Sequence, residues 1–112
     1  MSRSPKDFLE HILLETSFIL NTSKNLSKDR FTCDPVLTRA MVRSLEIVGE
    51  ATKNLPDSLK QEYSQIPWRQ IAGMRDKLIH DYFGIDYDVV WDVVTNEIPA
   101  LHTQIQEIIK KL

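Results

Sequence analysis

The chain has 112 residues, a formal net charge of −2 and a sequence pI near 5.9. This length suits a single domain, residues 1–112, and the lone Cys33 excludes an internal disulfide. A charge this small provides no general basic field for nucleic acid, so any contact with RNA must be local. No apolar run approaches about 18 residues and the N-terminus lacks the h-region of a signal peptide, so we expect a cytoplasmic protein without a membrane segment.

The first predicted helix begins at Ser4-Pro5, with Ser4 as N-cap and Pro5 at the first helical position. Apolar residues at helical spacing extend it to about Asn21; they are Phe8, Leu9, Ile12, Leu13, Ile19 and Leu20. His11 and Glu15 stand one turn apart on this helix, either as two metal ligands without a third or as part of a solvated face. The following stretch, 21–33, is polar and without periodicity, which predicts a long loop.

A second helix is predicted to begin at Asp34-Pro35 and to end between Asn54 and Pro56. Its apolar face comprises Leu37, Met41, Leu45, Val48 and Ala51 or Thr52. A charged stripe runs along the same helix, formed by Arg39, Arg43, Glu46 and Glu50. This stripe is either a solvated face with weak ion pairs or the border of an active cleft or dimer contact.

The remaining pattern predicts a short helical turn at 57–63, a helix at 68–83 that ends before Gly84, and a long final helix capped by Asp86. Gly73, inside the 68–83 helix, is expected to mark close packing against another helix. Pro99 should kink the final helix. Its buried side comprises Val89, Val90, Val93, Val94, Ile98, Leu101, Ile105, Ile108 and Ile109. The predicted fold class is therefore all-α, an antiparallel bundle of four to five helices with a kinked C-terminal helix.

The 68–83 helix carries three residues whose side chains could take part in a reaction: Arg75, His80 and Tyr82. Helical spacing places Arg75 in one stripe with apolar neighbours, where its permanent charge requires acceptors or an anion. His80 lies five residues further on, roughly 140° around the axis, so the two side chains diverge on a straight helix. They could meet if Arg75 reaches across, if the helix loosens before Gly84, or if a second copy packs alongside as a symmetric dimer.

The sequence contains no Gly-rich phosphate loop, no Cys-x-x-Cys, no His-Glu-x-x-His and no Gly-x-Ser-x-Gly motif. A histidine and an arginine without a metal suit the cleavage of RNA through its own 2′-hydroxyl. Histidine titrates near neutrality and can move the proton, while arginine can donate two hydrogen bonds to the phosphate.

Four residues separate Arg75 from His80, and one residue separates His80 from Tyr82. This spacing resembles the R-x4-H-x-Y motif of the HepT-like branch of the HEPN domain superfamily. Asp76 resembles the polar residue that follows the arginine of that motif. The flanking stretches 44–51, 66–68 and 84–86 are similar to the family pattern as well, and the resemblance covers nearly the whole chain.

The resemblance implies a HEPN-like, dimeric, metal-independent endoribonuclease toxin of a type VII-like toxin–antitoxin system. Arg75 and His80 would be catalytic at a cleft on the twofold axis, with Asp76 as a possible supporting residue. If the charged stripe of the second helix borders this cleft, Arg43 and Glu46 would be supporting residues as well. A minimal nucleotidyltransferase antitoxin would transfer AMP from ATP to Tyr82, and the added negative charge would repel the RNA backbone. No cofactor is expected, and ATP would act only through the partner.

Two alternatives remain open at this point. One is a non-catalytic helical module that binds a nucleotide or docks a nucleotidyltransferase, and the other is a structural dimerisation bundle. On residue physics alone, His80 could be a surface residue, Arg75 could pair with Asp76 or Asp81, and Tyr82 could belong to the core.

Overall fold

A computed structural model describes residues 3–80 and 84–112, with only the backbone described for His80. Within these ranges the chain forms eight helical segments and one pair of two-residue strands. The segments are α1 (Pro5–Ser23), α2 (Lys28–Thr32), α3 (Pro35–Lys53), α4 (Asp57–Glu62), α5 (Trp68–Ala72), α6 (Met74–Leu78), β1 (Ile79–His80), β2 (Gly84–Ile85), α7 (Tyr87–Asn96) and α8 (Ile98–Lys110). The all-α prediction is confirmed, and four helices of ten residues or more, α1, α3, α7 and α8, form the bundle.

The predicted helix starts are confirmed by their caps. The Ser4 hydroxyl accepts from the Asp7 N–H while the Asp7 carboxylate accepts from the Ser4 N–H, which makes a reciprocal capping box. Asp34 accepts from the N–H groups of Val36 and Leu37 at the start of α3. Local sequence therefore determines where the bundle helices begin.

The predicted loop at 21–33 is wrong, because α1 continues to Ser23 and a short helix, α2, follows. The Ser27 hydroxyl caps α2 by accepting from the Arg30 N–H. Phe31 is fully buried, and its ring centroid lies 5.2 Å from that of Trp91. This aromatic contact and an ion pair of 3.2 Å between Lys28 and Asp88 join the segment to α7, which periodicity over a short polar stretch does not reveal.

The core lies between the long helices, and most of the predicted apolar positions are buried in it. The fully buried side chains of greatest volume include Phe31, Leu9, Ile12, Ile19, Met41, Leu45, Leu78, Ile98, Ile105 and Ile108. Thr16 of α1 is also fully buried, and its hydroxyl lies 2.8 Å from Nδ1 of His102 on α8. This polar contact joins α1 to α8 inside an otherwise apolar interface.

The final helix is interrupted as predicted: α7 ends at Asn96, Glu97 separates the two helices, and α8 begins at Ile98 with Pro99 in its first turn. Proline provides no N–H for the helix before it, so the break lies where the sequence places it. No helix in the described ranges is both long and apolar enough to cross a membrane.

Candidate functional site

The 68–83 segment is not one helix, which corrects the sequence prediction. It forms α5, breaks at Gly73, continues as α6 to Leu78, and then becomes extended at β1. Ile79 pairs with Ile85 and His80 with Gly84 in an antiparallel register. Gly84 has a φ of 92° and belongs to β2 rather than to a helix C-terminus.

The backbone of His80 therefore lies in a strand, and the helix loosens before Gly84. This is the second of the three routes by which Arg75 and His80 could meet. Because α6 ends at Leu78, its dipole does not extend to His80 in the way that the predicted helix implied. Asp81, Tyr82 and Phe83 lie outside the described residues, so the adenylylation expected at Tyr82 stays a prediction.

Arg75 does not lie in an apolar row. The buried positions around it are Ile71, Met74 and Leu78, whereas the Arg75 side chain is 68% exposed. Met74 follows Ile71 by three residues and precedes Leu78 by four, so it takes the inward position that the predicted stripe gave to Arg75. The same spacing was visible in the sequence and could have identified Met74.

The carboxylate that faces Arg75 belongs to Glu46 on α3, with Nε and Oε2 4.0 Å apart. This contact replaces the pairing with Asp76 that residue spacing allowed. Asp76 is exposed on α6, and its backbone N–H bonds to the Gly73 carbonyl. The structure thus brings two of the sequence-predicted residues, Arg75 and Glu46, together from different helices.

A groove of about 430 Å³ runs between α1, α3 and the α5–α6 segment, and we call it the Arg75 groove. Its walls are formed by Phe8, His11, Arg43, Glu46, Ile47, Gly49, Glu50, Ala51, Lys53, Asn54, Ala72 and Arg75. Three members of the predicted charged stripe, Arg43, Glu46 and Glu50, are among them. The stripe therefore borders a groove instead of facing open solvent along its length, although Arg39 is not in the wall.

Gly49 allows the groove walls to approach each other closely. A Cβ at this position would lie 3.1 Å from the Ile71 carbonyl oxygen and 3.4 Å from that of Ala72. The close helix packing expected at Gly73 occurs instead at Gly49, since a Cβ at Gly73 would meet the Arg69 carbonyl of its own preceding helix. Gly49 thus determines how near α5, and with it Arg75, lies to α3.

A second contact holds α6 from the other side. The Lys77 ammonium donates to the Glu97 carboxylate at 2.9 Å, and Glu97 is the residue between α7 and α8. The helix that carries Arg75 is therefore tied to α3 through Glu46 and to the α7–α8 junction through Lys77.

The described residues of the groove walls include three permanent cations, Arg43, Lys53 and Arg75, and two carboxylates, Glu46 and Glu50. The excess is small, but the cations are concentrated in one concave place on a chain whose overall charge is negative. Such a groove can bind a single phosphate group locally, but it is too small to bind an anionic surface of large area. No group of three or more potential metal ligands occurs among the described side chains.

Comparison with known proteins defines the class. Residues 9–108 match the family model described as "Ribonuclease HepT-like", so the chain belongs to the HepT-like ribonuclease family. The resemblance drawn from the motif is confirmed.

Individual relatives carry names of the same kind. The chain is 52% identical over 109 residues to "Putative RNase TTE0752" of Caldanaerobacter subterraneus subsp. tengcongensis, covering 97% of each chain. It is 44% identical to "Putative RNase MJ0127" of Methanocaldococcus jannaschii, over 94% of this chain and 87% of that one. It is 43% identical to "Probable ribonuclease HepT" of Thermococcus cleftensis, over 98% and 100%. No solved structure matches the chain significantly.

Proposed function

We propose that this protein is a metal-independent endoribonuclease that cleaves RNA through the 2′-hydroxyl, with Arg75 and His80 as its catalytic residues. The observation that carries the proposal is the position of Arg75 in a cationic groove of a HepT-like ribonuclease fold. Arg75 would hold the scissile phosphate, and His80 would remove the 2′-hydroxyl proton. Glu46 would orient Arg75, and Arg43 would contact a neighbouring phosphate from the same groove.

The test is RNA cleavage by the purified protein in the presence of EDTA. Arg75→Ala and His80→Ala should each abolish cleavage while leaving the helical circular dichroism spectrum unchanged. Arg69→Ala serves as the control, because Arg69 is an exposed arginine on α5 outside the Arg75 groove. Full cleavage by both catalytic variants, or loss of wild-type cleavage with EDTA, would refute the assignment.

We further propose that the active form is a homodimer whose contact covers Leu14, Phe18 and Val36. These are large apolar side chains on α1 and α3 that are 65%, 42% and 74% exposed. Leu14 and Phe18 line a second depression together with Arg43, which also lines the Arg75 groove. A second copy seated there would therefore border the groove, as the family resemblance implies for a cleft on a twofold axis.

Phe18→Glu tests the dimer, because a carboxylate buried without a partner strongly opposes association. Sedimentation should show a monomer, and RNA cleavage should be lost. Leu112→Glu is the matched control, since Leu112 is equally apolar and 62% exposed at the other end of the chain. A Phe18→Glu protein that remains dimeric, or a fully active monomer, would contradict this surface.

The biological role that the resemblance implies is a toxin neutralised by a minimal nucleotidyltransferase antitoxin. AMP transferred to Tyr82 would add negative charge two residues from His80, and this charge would repel the phosphates of RNA. Coexpression with the partner should add one or more AMP masses that Tyr82→Phe removes, and the modified protein should not cleave RNA. ATP-dependent labelling by the partner without cleavage under any condition would instead favour the non-catalytic module.

A further inference from the structure

His11 of α1 lines the Arg75 groove, although it lies far from the R-x4-H motif in sequence. The tertiary structure brings together a titratable imidazole from α1, Arg43 from α3 and Arg75 from α6. The helix pattern alone left His11 as one of two ligands without a third or as a surface residue, and neither interpretation predicted that it would face the same groove as Arg75.

The carboxylate of Glu15 lies next to His11 and is held by a hydrogen bond from α3. Oε2 of Glu15 lies 4.0 Å from Nε2 of His11, one helical turn away. Oε1 of Glu15 accepts a hydrogen bond of 2.7 Å from the hydroxyl of Ser44, which is 2% exposed on α3. The Glu15 side chain is 17% exposed and that of His11 49%, so a mostly buried, anchored carboxylate lies 4.0 Å from a solvent-accessible imidazole, a distance somewhat longer than a hydrogen bond.

The order of groups, a buried hydroxyl, a carboxylate and an accessible histidine, is one in which a small shortening of the Glu15–His11 contact would orient the imidazole for proton transfer. Cleavage through the 2′-hydroxyl requires two proton transfers. The 2′-oxygen must lose its proton as it attacks phosphorus, and the departing 5′-oxygen must gain one. The proposed function assigns the first transfer to His80 and leaves the second without a residue.

We propose that His11 is this second catalytic group, the general acid that protonates the 5′-oxygen, with Glu15 and Ser44 as positioning residues. The 2′-oxygen–phosphorus bond forms, the phosphorus–5′-oxygen bond breaks, His80 accepts one proton and His11 donates one. The products are a 2′,3′-cyclic phosphate and a 5′-hydroxyl, and exchange with water restores both imidazoles. The inference rests on the proposed ribonuclease function and adds a residue outside the motif to its site.

The test compares two oligonucleotides that span a cleavage site mapped with the wild-type protein. They are identical except that one carries sulfur in place of the bridging 5′-oxygen, and a thiolate departs without protonation. His11→Gln should lower kcat on the oxygen substrate by about 10²- to 10⁴-fold with little change in KM. On the sulfur substrate the same variant should cleave at nearly the wild-type rate.

Glu15→Gln keeps the shape of the side chain and should show a smaller loss of kcat with the same rescue by sulfur. Glu10→Gln is the control, because this exposed carboxylate on the same helix lies outside the groove lining and should leave both rates unchanged. An unchanged kcat for His11→Gln, a loss confined to KM, or an equal loss on both substrates would overturn the assignment. Those results with an active wild type and inactive Arg75→Ala would leave the proposed function standing, whereas an inactive wild type would remove both.

Discussion

Arg75 is exposed in this protein because Met74 takes the inward position on α6. Among the described residues the ion-pair partner of Arg75 is Glu46, and an exposed guanidinium can exchange such a partner for a phosphate at small cost, because surface ion pairs contribute roughly 0–1 kcal/mol. The 4.0 Å separation from Glu46 is longer than a hydrogen bond, so Arg75 is oriented over the groove without being locked there. This arrangement suits a residue that binds its anion only when substrate arrives.

At the residue scale, Arg75→Lys should preserve the charge and lose the two-pronged hydrogen bond to phosphate. Lysine acts as a point charge, whereas arginine binds two phosphate oxygens at once. We expect RNA affinity close to that of the wild type and a kcat reduced by about 10²-fold or more, of the order found when one transition-state donor is removed. RNA-binding and steady-state kinetic measurements would separate the effect on affinity from the effect on kcat. A kcat equal to that of the wild type would show that the paired hydrogen bonds to phosphate are not needed.

At the scale of elements, two helix contacts determine the geometry of the site. The approach of α3 to α5 depends on Gly49, and the packing of α1 on α8 includes the contact between Thr16 and His102. The first contact places Arg75 relative to Arg43, and the second lies in the bundle core, where the helix that carries His11 is anchored. Each can be tested separately.

Gly49→Ala should destabilise the fold although alanine favours helix. The propensity gain is at most about 1 kcal/mol. A Cβ 3.1 Å from the Ile71 carbonyl must push α5 outward, and overpacking of this kind costs about 1–3 kcal/mol. Urea unfolding should therefore show a net loss, and cleavage should weaken because Arg75 moves with α5. Glu50→Ala, at the next and exposed position of α3, is the control for the unfolding measurement alone, because Glu50 also lines the Arg75 groove. A stabilised Gly49→Ala protein would contradict the close approach.

Thr16→Val should lower the free energy of unfolding by about 1–3 kcal/mol, because it removes a buried hydroxyl and leaves His102 without that partner. Thr103→Val serves as the control on α8, since the Thr103 hydroxyl is exposed and bonds only to the Pro99 carbonyl of its own helix. Equal stability of both variants in urea would show that the contact between α1 and α8 contributes nothing.

At the scale of the whole molecule, the net charge of −2 separates this protein from nucleic-acid binders that use a broad basic surface. The described part of the chain concentrates Arg43, Lys53 and Arg75 in one groove instead. The affinity for RNA should then depend on few phosphate contacts, and most of the surface should contribute nothing or repel.

The number of phosphate contacts can be measured from the slope of the logarithm of the RNA-binding constant against the logarithm of the salt concentration. Three phosphate contacts on single-stranded RNA give a slope of about −2, and the paired grooves of a dimer give about −4. The experiment uses the His80→Ala protein, so that the RNA survives the titration. A slope much steeper than this would require a second basic surface outside the Arg75 groove.

The sequence alone was sufficient for the features that depend on neighbours along the chain. Caps at Ser4, Asp34 and Asp86 and the break before Pro99 follow from local hydrogen bonding and from the missing proline N–H, and the structure confirms them. The R-x4-H-x-Y spacing identified the family for the same reason, since a motif is read along the chain.

Only the tertiary structure decided which residues share the groove. The pairing of Arg75 with Glu46 and the position of His11 depend on helices that are distant in sequence. Helical periodicity reports which side of one helix is apolar, but it contains no information on which helix packs against that side or how closely. Gly49 decides that distance, because its missing Cβ lets the carbonyls of α5 approach α3.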